Sequence, residues 1–205
     1  KFKEGKKILN QKKLIINELE CENIYTIFKN IEKNKKKLKS ISKNFDTTFK
    51  SIIHGDMTLE NILYDTKNFY FIDPLGGFMD INYDGNFLSK VTPLFDFGKL
   101  SQSLISNYES WKEIKNLKKF KIKNNEYKIL NCKIENIKKF NLLNKIFNNL
   151  TPQFNRVILM HMIIILCRIV RYRVDKQPYS SIMCLIVSTY WINILINNKK
   201  NEIIL

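Results

Sequence analysis

The 205-residue chain is poor in the residues that build several familiar kinds of site. Of its six glycines only Gly5 precedes Gly55, so the amino-terminal quarter holds no glycine-rich loop that could cradle a phosphate. Its four cysteines, Cys21, Cys132, Cys167 and Cys184, are scattered without a CxxC pair. That spacing argues against a zinc site or a disulfide framework and leads us to expect reduced thiols in a cytoplasmic protein. Arginine is scarce: only Arg156, Arg168, Arg171 and Arg173 contribute to the 35 basic residues behind a formal charge of +16. Reading bases and gripping phosphates in bidentate fashion favour arginine. A lysine-borne charge interleaved with Asn and Ile is what an AT-rich coding sequence produces, and it argues against nucleic acid as the partner. No uninterrupted apolar run reaches the roughly eighteen residues of a membrane span, and the amino end shows no signal-peptide pattern. The chain opens on Lys1 and not Met, so it is expected to be a trimmed piece of a longer protein.

What is present suffices for a folded core, with 44% hydrophobic and 12% aromatic residues in a length that suits one domain or one lobe. The stretch around which the rest is organised is Ile53-His54-Gly55-Asp56-Met57-Thr58-Leu59-Glu60-Asn61-Ile62-Leu63, followed by Tyr70-Phe71-Ile72-Asp73-Pro74. Apolar runs at Ser51–Ile53, Asn61–Leu63 and Phe69–Ile72 predict strands, and Asp65-Thr66-Lys67-Asn68 predicts the turn between the last two. Strand, loop, hairpin and carboxylate in that order bring Asp56, Asn61 and Asp73 to neighbouring strand ends. Phosphoryl transfer from ATP needs oxygen ligands for Mg²⁺ and a carboxylate near the attacking hydroxyl. Asp56 and Asn61 are five residues apart, and Asn61 and Asp73 twelve, which is the order and spacing of a kinase catalytic loop and its metal-binding aspartate.

His54-Gly55-Asp56 with Asn61 resembles the catalytic loop of the aminoglycoside phosphotransferase and choline kinase superfamily, a relative of the protein kinases. The longer string HGDMTLENIL…FIDPLGG…FDFGKLSQSL is similar to a subgroup associated with surface-polysaccharide biosynthesis. The resemblance covers residues of about 50–110. It implies Asp56 as the catalytic base, Asn61 and Asp73 as the ligands of Mg²⁺ and its nucleotide, and His54 as the catalytic-loop residue that orients the backbone. Gly55 allows a tight or left-handed turn. Asp96-Phe97-Gly98 spells the metal motif of protein kinases, but it lies 35 residues after Asn61 and begins an apolar helical pattern. Asp96 is therefore read as a helix-start residue supporting the loop, and Asp73 as the metal ligand.

Elsewhere the pattern is mostly helical. Apolar positions from Ile8 to Ile41 fit one or two amphipathic helices, with Lys33–Lys39 as a solvated face. Phe120–Ile122 and Tyr127–Leu130 predict a hairpin around Asn124-Asn125, and a helix is expected from about Ile134 to Phe147. The segment 111–150 is the expected seat of substrate specificity. Thr151-Pro152 marks the start of a buried helix ending near Val174, where the arginines fringe the core and His161 is a core histidine. A last apolar helix is expected over Tyr179–Asn197.

These readings make residues 1–205 an α+β unit, the mainly helical large (C-terminal) lobe of a protein-kinase-like fold with a small β-hairpin system at the catalytic loop. The implied activity is an ATP- and Mg²⁺-dependent phosphotransferase acting on a hydroxyl of a small molecule, a sugar or amino alcohol by resemblance. The nucleotide-binding small lobe, or a fused domain, is expected upstream. Two alternatives stand: a degenerate kinase-like module that binds nucleotide or a partner without turnover, and a basic RNA- or surface-binding domain.

Overall fold

The computed structural model describes residues 3–30, 32, 35, 36, 53–75, 92–106, 108–118, 120–123, 126–129 and 152–197. Helix α1 (Lys3–Leu9) leads into a hairpin of β1 (Lys13–Ile16) and β2 (Leu19–Glu22), and α2 (Ile24–Lys29) follows. The hairpin corrects the helical reading of residues 8–41. Leu14 and Ile16 are buried while Lys13 is exposed and Ile15 half-buried, the two-residue alternation of a strand. Asn17 and Glu18 turn the chain with φ of 49° and 67°, the left-handed pair that a two-residue hairpin requires. Of the lysine-rich stretch only Lys35 and Lys36 are described; both are exposed, and the remainder lies outside the described residues.

The predicted second hairpin is present as β5 (Lys121–Lys123) against β6 (Glu126–Tyr127). It joins the first through a parallel pairing of β1 with β6, giving a sheet in the order β2-β1-β6-β5. Asn124, Asn125 and the helix expected from Ile134 to Phe147 lie outside the described residues.

Two long helices back this sheet. Helix α4 (Pro152–Arg173) and helix α5 (Pro178–Asn197) match their predicted spans to within a residue or two. Asn193 of α5 imitates a neighbouring strand at the open edge of β2: its Oδ1 accepts from Glu22 N at 2.9 Å and its Nδ2 donates to Glu22 O at 2.7 Å. By length and composition α5 could cross a membrane, yet 67% of its most apolar window is buried inside the fold. Arg156 donates to Leu195 O, and Arg173 lies over the Tyr108 ring at 5.0 Å, so both serve the core's rim.

The part that carries the motif is a smaller layer on α4. It contains the hairpin of β3 (Ile62–Tyr64) and β4 (Phe69–Phe71) and, after a gap in the described residues, helix α3 (Leu94–Leu104). Ile62, Leu94, Leu100, Leu104, Val157 and Ile158 form a buried cluster between them. Burying each such side chain is worth roughly 1.5–3 kcal/mol, against about 1 kcal/mol for a typical hydrogen bond. Apolar packing therefore seats the hairpin on the helices, and hydrogen bonds decide how the loop before it is draped. The whole is mixed α+β, mainly helical with small sheets.

Candidate active site

Asp65 makes the β3–β4 turn. Its Oδ1 accepts from Lys67 N at 2.9 Å and Asn68 N at 2.7 Å, and these backbone bonds hold its carboxyl below the usual range. The expected strands change: Ile53 lies in no strand while Ser51 and Ile52 lie outside the described residues, Asn61 belongs to a 3₁₀ turn, Leu59–Asn61, and Ile72 follows the end of β4. That turn sets Asn61 at the loop's end. Its Nδ2 donates to Asp56 O at 2.9 Å and to Asp56 Oδ2 at 3.2 Å. Both Asp56 oxygens are acceptors, so the end of the amide that meets them is nitrogen, and Oδ1 is the acceptor end not used in these bonds.

Asp73 is tied to the same loop by three hydrogen bonds that bracket it. Ile72 N donates to Asn61 O at 3.0 Å, His54 Nε2 donates to Ile72 O at 2.8 Å, and Leu75 N donates to His54 O at 2.8 Å. Asp73 itself is exposed and has φ of 54°, a left-handed backbone uncommon outside glycine, though aspartate and asparagine adopt it more readily than other residues. Such strain persists where surrounding bonds over-determine it, and it concentrates at functional sites. The pairing to Ile72 O places the His54 proton on Nε2, while Nδ1 accepts from Asp56 N at 3.3 Å. Both ring nitrogens of His54 thus meet backbone groups. Gly55 has φ of 82°, as the sharp turn before Asp56 demands.

Asp96 reaches the loop from α3. Oδ2 accepts from His54 N at 2.6 Å and Oδ1 from Gly55 N at 2.8 Å. It sits in the first turn of α3 and is 5% exposed; burial pushes its carboxyl above the ordinary range while the two amides pull against that. The DFG look-alike therefore supports the loop's backbone.

Two residues on α3 were not anticipated as part of the site. Lys99 Nζ lies 2.7 Å from Asp56 Oδ1, with 17% of the lysine side chain and 33% of the aspartate exposed. Ser103 Oγ accepts from Leu59 N at 3.1 Å and donates to the half-buried Glu109, whose carboxyl is pushed up by its partial burial. Asp96, Lys99 and Ser103 are spaced i, i+3, i+7, so they share one face of the helix. They meet the loop at residues 54–55, 56 and 59 in turn. A polar stripe on a helix otherwise buried nearly all round was the available signal.

Gly76, Gly77, Asp80 and Asp84 lie outside the described residues. Among the described residues no three His, Cys, Asp or Glu side chains converge as a metal cage. Magnesium in nucleotide sites commonly takes only one or two carboxylates, with water and phosphate oxygens completing its shell. The arrangement therefore offers the Asp56 carboxylate held by Lys99 and Asn61, the Asn61 amide oxygen and, on the segment whose backbone is bonded to the loop, the exposed carboxylate of Asp73. No family model matches the chain, and comparison with curated proteins and with solved structures finds no match either.

Proposed function

We propose that the chain is a phosphotransferase of protein-kinase-like fold that uses Mg²⁺ and ATP to phosphorylate a hydroxyl of a small molecule, a sugar or an amino alcohol. The observation that carries this reading is the joining of Asp56, Asn61 and Asp73 by the Asn61–Asp56 bonds and the three bonds bracketing Asp73. Asn61 through Oδ1 and Asp73 through its carboxylate would hold the metal; both are hard oxygen donors of the kind Mg²⁺ takes. When bound, Mg²⁺–ATP supplies the phosphoryl group and neutralises its charge. Asp56 accepts the proton of the attacking hydroxyl, and Asn61 keeps its carboxylate turned toward the loop. His54 and Asp96 hold the backbone on which Asp56 sits. The exposed side chains of Phe71, Ile72 and Leu75 provide an apolar surface in the segment that carries Asp73, a suitable neighbour for a flat base.

The test is Mg²⁺–ATP titration together with turnover over a panel of sugars and amino alcohols, on the complete protein. Asp73→Ala should abolish Mg²⁺-dependent nucleotide binding. Asp56→Asn should leave binding nearly intact and lower turnover by about 10²–10⁴-fold, the usual worth of a general base. Unchanged affinity in Asp73→Ala would remove the metal assignment. Tight binding by a wild type without turnover would leave a nucleotide-binding module instead.

A further inference from the structure

We infer that Lys99 is a positioning residue for the proposed reaction, fixing the Asp56 carboxylate in the orientation in which it receives the acceptor hydroxyl. This deepens the phosphotransferase reading and rests on it. Each carboxylate oxygen of Asp56 has one fixed partner: Oδ1 faces Lys99 Nζ at 2.7 Å, and Oδ2 faces Asn61 Nδ2 at 3.2 Å. Two partners on different elements determine the rotation of the carboxylate plane, which one partner alone would leave loose. An ionised carboxylate offers about four acceptor sites, so the two fixed bonds leave room for an incoming hydroxyl.

The placement of Lys99 distinguishes this pair from an ordinary surface ion pair. Lys13–Glu20, for comparison, joins side chains that are 63% and 64% exposed, whereas the Lys99 side chain is 17% exposed. Lys99 lies one helical turn beyond Asp96, so the same helix holds both the backbone before Asp56 and the side chain of Asp56 itself. Misplacement of a reacting group by about 1 Å can lower a rate 10²-fold, so the anchoring is large enough to matter for turnover while leaving the metal-binding residues untouched.

The experiment compares wild type, Lys99→Arg and Lys99→Met in the complete protein. Mg²⁺–ATP affinity is read by titration, phosphate release with water as the acceptor gives kcat and KM, and thermal melting reports the fold. Lys99→Met should lose about 10–100-fold in kcat with KM for ATP within about twofold, and Lys99→Arg should recover most of the loss. An active wild type matched by Lys99→Met overturns the inference and leaves the phosphotransferase reading standing. Equal losses in both variants, accompanied by equal drops in melting temperature, also overturn it, since the lysine would then be structural. A wild type that neither binds Mg²⁺–ATP nor releases phosphate overturns the phosphotransferase reading and this inference with it. Should Lys99→Met fail to fold, Lys99→Gln with the same readouts decides between these outcomes.

Discussion

Gly98→Ala tests the seating of the candidate site on the rest of the fold. A Cβ built at Gly98 would lie 2.5 Å from His161 Cβ, 3.2 Å from Met162 N and 3.3 Å from His161 C. Carbon atoms in contact prefer about 3.5–4.0 Å, so the closest approach is about 1 Å or more too short. The obstructing atoms belong to the α4 backbone or are bonded directly to it, and no side-chain rotation relieves the overlap. Helix α3 must move away from α4. Overpacking of this sort costs about 1–3 kcal/mol, and rigid obstacles favour the upper end. Alanine returns about 1 kcal/mol through its better helix propensity. The expected net loss is therefore about 1–2 kcal/mol, or roughly 2–8 °C in melting temperature for a chain of this size. Chemical denaturation of wild type, Gly98→Ala, His161→Gly and the double variant measures it, since removing the His161 Cβ should relieve the worst overlap. Because Gly98 lies between Asp96 and Lys99, the proposed phosphoryl-transfer activity should fall as well. Wild-type or higher stability in Gly98→Ala would refute the close approach of α3 to α4.

Asp96→Asn should lower stability by about 1–3 kcal/mol, because an amide can accept only one of the two loop N–H groups and turns a donor toward the other; a denaturant midpoint equal to wild type would refute that. Stability should also fall on acidification through His161, which burial holds at about 4 in the folded protein against about 6.5 when unfolded. Within that window the unfolded chain binds the proton and the folded one does not. The contribution is thus fully retained above about pH 6.5, declines toward pH 4 and levels off below, amounting to about 3 kcal/mol. Denaturation of His161→Gln at pH 7 and 4.5 should show a smaller acid-induced loss than wild type shows, and an identical loss would exclude His161 as its source.

The sequence was most legible where local rules act alone. Asp65 to Asn68 reads as a turn, Thr151-Pro152 as a helix start, and the long apolar segments after it as helices, all from residues within a few positions of one another. The β1–β2 hairpin was missed because Leu14, Ile15, Ile16 and Leu19 satisfy a helical template as well as a strand, and short apolar runs do not separate the two. Asn17 in a left-handed turn was the discriminating residue, and it requires knowing that the chain reverses there. Asp56, Asn61 and Asp73 were visible by spacing, since short connections bring them together. Lys99 and Ser103 were not, although they line up with Asp96. Which face of a helix meets which loop is decided by tertiary packing, and residues 56 and 99 are too distant in the chain for any local pattern to join them.

That packing also explains why three residues spelling a kinase metal motif occur where they do. The stretch from His54 to Thr58 adopts no regular helix or strand, so its amides lack the ladder that satisfies backbone groups elsewhere. Side chains of α3 supply partners instead. Asp96 takes two of those amides, and hydrogen bonds to a charged group are worth about 1.5–3 kcal/mol each, enough to offset much of the penalty for burying its carboxylate. Phe97 packs against the cluster that seats the hairpin. Gly98 has no side chain, so α3 can lie against the α4 backbone at His161 and Met162. The loop is consequently as precise as the contact between two helices, a stiffer reference than any turn could provide. Asp56 inherits that precision twice, through the backbone that Asp96 holds and through the carboxylate that Lys99 faces.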